Sequence, residues 1–383
     1  MNSNPELTEQ QLMVQQLARD FAAKEITPFG KEWDQKCEYP FDVVRKMGEN
    51  NFFGLIFPPE YGGIGAGHVA FLLAMEEICR ANVMVGTALW QRPAVGDTVY
   101  LAGSEYLKKT YLTPLAEGKH VVTIGYTEPD TGLFPQGIKA VARKDGDDYI
   151  INGHKRFNSF SSICDWVSFW VRTSPTALGL FVVEREKAGK GWITEHTEDL
   201  MGRRGVISSD LILENVRVPK ENLIGKEDEG YPILLKMVAR TESPGVAAES
   251  LGIAQAALDE AIKYATTRIQ PWIGKPITAH QGIQFRIADI AIDVAAARSL
   301  IYHVGQLIDA GQIPRMEAAQ AKAFAVTAAK RAVDNSMHVH GAYGYTKDFT
   351  IERLYRDQKL SELYGGSTDI QRMIVAEGTI QGK

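Results

Sequence analysis

The sequence predicts an α+β fold in three segments: an N-terminal helical domain, a middle antiparallel β domain and a C-terminal four-helix bundle. Three observations carry this expectation. Apolar residues recur at helical spacing up to about residue 120 and again beyond 230. Between them lie short runs rich in Val, Ile, Phe and Trp. Asp-Gly and Asn-Gly pairs punctuate those runs as turn signals. The domains are expected at 1–120, 121–229 and 230–383.

In the first segment Leu12, Val14, Leu17 and Phe21 with Ala22 recur near the helical period, and 71–80 forms a second helix. Ser104, three residues before Leu107, has the position of a helix N-cap, and PPEYGGIGAG at 58–67 reads as a loop. In the middle segment strands are expected at 149–152, 166–173, 178–184 and 210–218, with turns at Asp145-Gly146 and Asn152-Gly153. In the third, helices are expected within 254–264, 285–305 and 316–341, where many alanines and glycines allow close packing.

Composition narrows the function. The 383 residues, 45% hydrophobic, suffice for a large core. With 42 basic and 47 acidic residues, and no basic block interleaved with aromatics, nucleic acid is not an expected partner. Cys37, Cys79 and Cys164 have no metal-ligand spacing and are too few for a disulfide scaffold, which points to a reducing, cytoplasmic compartment. No apolar run approaches the length of a membrane span, so no integral membrane association is expected. Gly62, Gly63, Gly65 and Gly67 have the wrong spacing for a dinucleotide fingerprint, and His338 and His340, two apart, would face differently on a helix, so no metal site is expected.

Six motifs occur in order: YTEPDTG (126–132), DYIINGHKRFNS (148–159), MGRRG (201–205), VPKENLIG (218–225), LYRDQKL (354–360) and GGSTDIQR (365–372). In this order and spacing the chain resembles the acyl-CoA dehydrogenase family of flavoproteins over essentially its whole length. The resemblance implies FAD as cofactor, an acyl-CoA thioester as substrate, electron-transfer flavoprotein as electron acceptor and a homotetramer. It further implies that Thr127 bonds the flavin pyrimidine edge, that Phe157 packs on the ring system and that Ser159 lies near flavin N5. Ile124, Gly132, Ser367 and Asp369 fall among the cofactor-contacting positions. Arg268 and Gln281 match residues that hold the pyrophosphate and adenosine of a neighbouring subunit's FAD, and His338, Gly341 and Ala342 match a flavin-contacting loop. RIQPWIGK, from Arg268, is two residues longer than the family's usual motif. For the substrate, the resemblance points to Trp90, Gln91, Leu133, Phe134, Tyr364 and Gly365, with Leu133 and Phe134 standing where the family often has Ser-Asp.

Proton abstraction beside a thioester needs a carboxylate near the reacting carbon, on the face opposite the hydride acceptor. The family's commonest location for it maps to Gly365, which has no side chain. Two carboxylates remain. Glu242 matches the location used for branched and long acyl groups, although Ser243 replaces the usual arginine beside it. Asp97 lies between Val95 and Val99, where a carboxylate is costly to bury without a role or a partner. With Asp97 as base the expected reaction is 1,4-dehydrogenation of cyclohex-1-ene-1-carboxyl-CoA to the 1,5-diene by γ-proton abstraction. The alternative to this expectation, with Glu242 as base, is conventional α,β-dehydrogenation of a branched, alicyclic or arylalkyl acyl-CoA. A catalytically silent flavin- or CoA-binding assembly protein is the alternative of another class.

Overall fold

The computed structural model describes residues 7–132 and 134–382. The chain begins with α1 (Glu9–Phe21), where the Thr8 hydroxyl accepts from the Gln11 N–H and the Gln11 side chain accepts from the Thr8 N–H, a complete capping box. Val14, Ala18 and Phe21 form its buried stripe, whereas Leu12 and Leu17 face outward. Val14, Ala18 and Phe21, at i, i+4 and i+7, share one helix face, which the more widely turned Leu12 and Leu17 do not. Helices α2 (Gly30–Lys36) and α3 (Phe41–Glu49) follow, then two long ones, α4 (Gly67–Ala81) and α5 (Val83–Ala102). Every residue of α5 from Val83 to Val99 is buried, which makes it the central rod of this region. Short turns α6 (Glu105–Leu107) and α7 (Thr113–Ala116) close the segment, and Ser104 caps α6 through the Leu107 N–H as expected.

The middle segment is a seven-stranded sheet: β1 (Val122–Gly125), β2 (Val141–Asp145), β3 (Asp148–Ser159), β4 (Trp166–Arg172), β5 (Leu178–Glu184), β6 (Trp192–Thr197) and β7 (Ser208–Val218). A short helix, α8 (Arg185–Ala188), links β5 to β6. Strand order is β1-β4-β2-β3-β7-β6, with β5 on β4. Most pairings are antiparallel, but β1 runs parallel to β4, and β2 meets β4 in parallel at Val141 and Arg172. Asp145-Gly146 does form the β2–β3 turn, with Gly146 at φ +65°. Asn152-Gly153 is not a turn. It lies inside β3 at a register shift against β7, where the Asn152 side chain accepts from the Asn215 N–H. A bulge uses the same small and amide residues as a hairpin, so the dipeptide alone does not separate the two.

The third segment holds α9 (Gly230–Met237), α10 (Ser243–Thr267), a hairpin of β8 (Ile269–Gln270) and β9 (Lys275–Pro276), α11 (Gln281–Asp309), α12 (Arg315–His340), α13 (Thr350–Lys359) and α14 (Thr368–Ile380). Helices α10, α11 and α12 pack against one another, α14 lies on α12, and α4 of the first segment packs on α10. Alanines such as Ala247, Ala254, Ala325 and Ala329 are fully buried at these contacts and let the axes approach closely. Among the described residues no helix is long and apolar enough to cross a membrane, and no cluster of side chains is arranged to hold a metal ion.

Candidate active site

Between α9 and α10 the chain makes one wider, π-helical turn, Val238–Glu242. Such turns add a residue to a helix and re-aim the side chains that follow, and they concentrate at functional sites. Here the turn divides its polar residues. Arg240 and Thr241 reach α5, where the Arg240 Nε donates to Asp97 Oδ2 at 3.2 Å and the Thr241 hydroxyl donates to the same oxygen at 2.9 Å. Asp97 is 0% exposed, in mid-helix rather than at a cap or turn. It therefore acts as a bolt between α5 and the π-turn, its charge met by the guanidinium.

Glu242, the last residue of the turn, points elsewhere. A β-carbon built on Gly365 would lie 3.2 Å from Glu242 Oε1 and 2.9 Å from Lys322 Nζ. The carboxylate thus occupies the space that a side chain at 365 would need. Glu242 is half-buried, and the protein packed around it raises its carboxyl above the usual range, an effect the nearby Lys322 ammonium partly offsets. Gly365 and Gly366 hold φ of +62° and +74°, a pair of left-handed residues that only glycine adopts without strain. This turn presents three successive carbonyls to one ammonium. Lys322 Nζ donates to the oxygens of Tyr364 and Gly366, each at 2.8 Å, and to that of Gly365.

Tyr364 is fixed from its other end. Its hydroxyl donates to Glu249 Oε2 at 2.8 Å, and Glu249 pairs with Arg203 at 2.6 Å, both fully buried. Its ring meets Trp90 with centroids 5.5 Å apart. Two of the expected substrate-pocket aromatics are therefore in contact, beside Gly365. Gln91, next on α5, donates to the Thr123 hydroxyl of β1 at 3.3 Å. Phe134 is 61% exposed and does not join this group, and Arg92 lies with its guanidinium over Phe53. Leu133 lies outside the described residues.

The β-domain positions assigned to the cofactor gather around the loop after β1. Thr127 accepts the Arg156 N–H through its carbonyl, which leaves its hydroxyl free of that bond. The loop is anchored from below by Lys155, fully buried, which donates to the Tyr126 carbonyl at 3.1 Å and to Glu128 at 2.9 Å; burial lowers the Lys155 ammonium to about 8. Asn158 donates to the Ile124 carbonyl at 2.7 Å, tying Ile124 to the β3 segment that ends in Ser159. Between them Phe157 is 57% exposed and sits at φ +54° inside a strand. A left-handed phenylalanine costs about 1–2 kcal/mol. The Arg156 guanidinium lies over the Phe157 ring, 5.0 Å from its centroid, and a half-exposed aromatic held in a strained backbone fits a planar ring system stacked on its other face.

The remaining cofactor positions form a second group at the far ends of α10 and α12. Arg268 lies over the Tyr343 ring, and Tyr343 belongs to an aromatic cluster with Tyr264 and Phe349 just beyond His338, Gly341 and Ala342. Arg268, Gln281, His338, Gly341 and Ala342 are all exposed. Among the described residues no side-chain hydrogen bond joins this group to the β-domain group. Ser367 stands at the N-cap position of α14 without a side-chain capping bond, and Asp369 in the first turn pairs with Arg372.

Residues 8–119, 123–216 and 228–380 match the family models for the N-terminal, middle and C-terminal domains of acyl-CoA dehydrogenase. The chain is 38% identical to a 3-(aryl)acrylate reductase of Clostridium sporogenes over 98% of its length and 99% of that protein's. It is 35% identical to the caffeyl-CoA reductase-Etf complex subunit CarC of Acetobacterium woodii, over 96% and 98%. Among solved structures, a glutaryl-coenzyme A dehydrogenase in complex with glutaryl-CoA superposes with a TM-score of 0.95 at 33% identity, covering 99% of this chain and 97% of that one.

Proposed function

We propose, for a chain that belongs to the acyl-CoA dehydrogenase family and is an FAD-dependent oxidoreductase of CH–CH bonds in CoA thioesters, that Glu242 is its base and a compact branched, alicyclic or arylalkyl acyl-CoA its substrate. One observation carries the reading: the Glu242 carboxylate lies against the space left by Gly365, with its Oε1 3.2 Å from where a β-carbon at 365 would stand. From there it takes the proton from Cα, while its raised affinity for protons suits a base working near neutral pH. FAD supplies, when bound, the acceptor for the hydride leaving Cβ. Thr127, Phe157 and Ser159 would hold the flavin ring, and Glu242 would face the substrate from the side opposite to it. Trp90 and Tyr364, with ring centroids 5.5 Å apart beside Gly365, would offer aromatic walls suited to a ring-bearing acyl group. The names of the two reductases fit an arylalkyl group.

The 1,4-dehydrogenation of cyclohex-1-ene-1-carboxyl-CoA is the second reading. It is favoured by the burial of Asp97, one of the few carboxylates without solvent access, and it requires that Asp97 release Arg240 and Thr241 to receive a proton. Electron-transfer flavoprotein is the proposed acceptor, supported by the relative named as a subunit of an Etf complex. A homotetramer is supported by exposed Phe285 and Ile292 on α11 and Met373 and Ile380 on α14, apolar faces that call for a partner.

Anaerobic mixing of the FAD-loaded enzyme with cyclohexane-1-carboxyl-CoA, 3-phenylpropanoyl-CoA and cyclohex-1-ene-1-carboxyl-CoA tests both readings through flavin bleaching. Glu242→Gln should abolish reduction by the first two, while Asp97→Asn retains it. Reduction by the cyclohexene thioester that survives Glu242→Gln and vanishes in Asp97→Asn would replace this reading with the second.

A further inference from the structure

We infer that Lys322 is the positioning residue of this site, holding the Tyr364–Gly366 turn and supplying the positive field that keeps Glu242 ionised. The inference rests on Glu242 as base. Lys322 lies mid-way along α12 and is 0% exposed. An ammonium buried so deeply is costly unless its N–H groups are matched. All three are: each donates to one of the successive carbonyls of Tyr364, Gly365 and Gly366.

Those carbonyls are dipoles, not charges, so the positive charge of Lys322 is not neutralised by its own bonds. The position of a β-carbon on Gly365 lies within 3.2 Å of both Lys322 Nζ and Glu242 Oε1, which puts the two groups no more than about 6 Å apart, inside the range where an opposite charge stabilises a carboxylate. They form no direct ion pair, and the carboxylate oxygens stay available for a proton. The other groups facing this pair do not supply the same field. Glu249 on α10 is matched by Arg203, and Tyr126 and Tyr364 are phenols held neutral by burial. On the π-turn itself, Arg240 is committed to Asp97. Gln371 of α14 makes a second, uncharged clamp on the same turn, donating to the Gly366 carbonyl at 3.0 Å.

This pair of clamps gives a test that separates charge from scaffold. The rate of anaerobic flavin reduction by 3-phenylpropanoyl-CoA is followed against pH in the FAD-loaded wild type, Lys322→Met, Lys322→Arg and Gln371→Leu. Lys322→Met should move the acid limb of the profile upwards by about 1 to 3 pH units. Lys322→Arg and Gln371→Leu, which keep a cation there, should leave the limb in place even where they lower the rate. Where Lys322→Met does not fold, Lys322→Gln, which keeps an amide donor for the carbonyls, is read the same way. An acid limb unmoved by loss of the charge, or moved equally by Gln371→Leu, would overturn the inference. Full activity of Glu242→Gln with the same substrate would instead overturn the assignment of the base.

Discussion

Replacing Gly365 by alanine should damage both stability and rate, and the two losses can be derived separately. The residue stands at φ +62°, where an alanine costs about 1–2 kcal/mol. Its new methyl would also lie 2.9 Å from Lys322 Nζ and 3.2 Å from Glu242 Oε1, closer than side-chain carbons normally approach. The contact with Lys322 is the tighter one, so the ammonium and the turn it holds have to shift, and Glu242 beside them gives by a few tenths of an ångström. A displacement of 1 Å costs about 100-fold in rate, so a shift of that smaller size should slow flavin reduction about 3- to 10-fold. Gly146 provides the control: it has φ +65° in the β2–β3 turn, and a methyl there would meet nothing within 4 Å. Gly146→Ala should show the backbone cost alone, with the wild-type rate. Urea unfolding of the FAD-loaded proteins gives the first quantity and stopped-flow reduction the second. If Gly365→Ala loses no more stability than Gly146→Ala and reduces flavin at the wild-type rate, the carboxylate does not occupy that space.

Lys155→Met leaves the buried Glu128 carboxylate with the Lys139 and Ala140 N–H groups but no counter-charge and should cost up to about 3–5 kcal/mol, with FAD retention on dilution falling alongside as the Thr127 loop loosens. Retention at the wild-type level in a folded variant would detach that loop from the cofactor. Phe157→Gly removes the left-handed strain and should make the flavin-free protein more stable by up to about 1 kcal/mol while weakening FAD binding, measured by thermal unfolding and by titration with FAD. The base acts ionised, so with its carboxyl raised by burial the wild-type reduction rate should fall on acidification through a pH above the ordinary glutamate range. A limb at the ordinary value would place the working base in a more solvated setting.

The order of helical, β and helical segments was legible because each has its own hydrophobic period, and Ser104 was legible because a cap is a local feature. Strands β1, β2 and β6 were not. They are short, and β2 and β6 are largely polar or exposed, so they owe their extended form to the neighbours they pair with. The parallel contacts of β4 are likewise invisible in a local pattern. Among the carboxylates, sequence could name Asp97 and Glu242 but could not distinguish them, because the difference lies in Arg240 and Thr241 reaching across to α5. Lys322 was missed although a signal existed. It falls on the stripe of Ala318, Ala325 and Ala329, and a lysine at helical spacing among small buried residues has to have matched partners.

The π-helical turn at Val238–Glu242 gives the site an unusual genetic fragility. Deleting a single residue there would let the helix relax to ordinary winding, which turns successive side chains by about 100° per residue. The bolt to α5 and the carboxylate beside Gly365 could then no longer both be satisfied. One in-frame codon loss, with no change to any residue that touches substrate, would separate a folded scaffold from a working one.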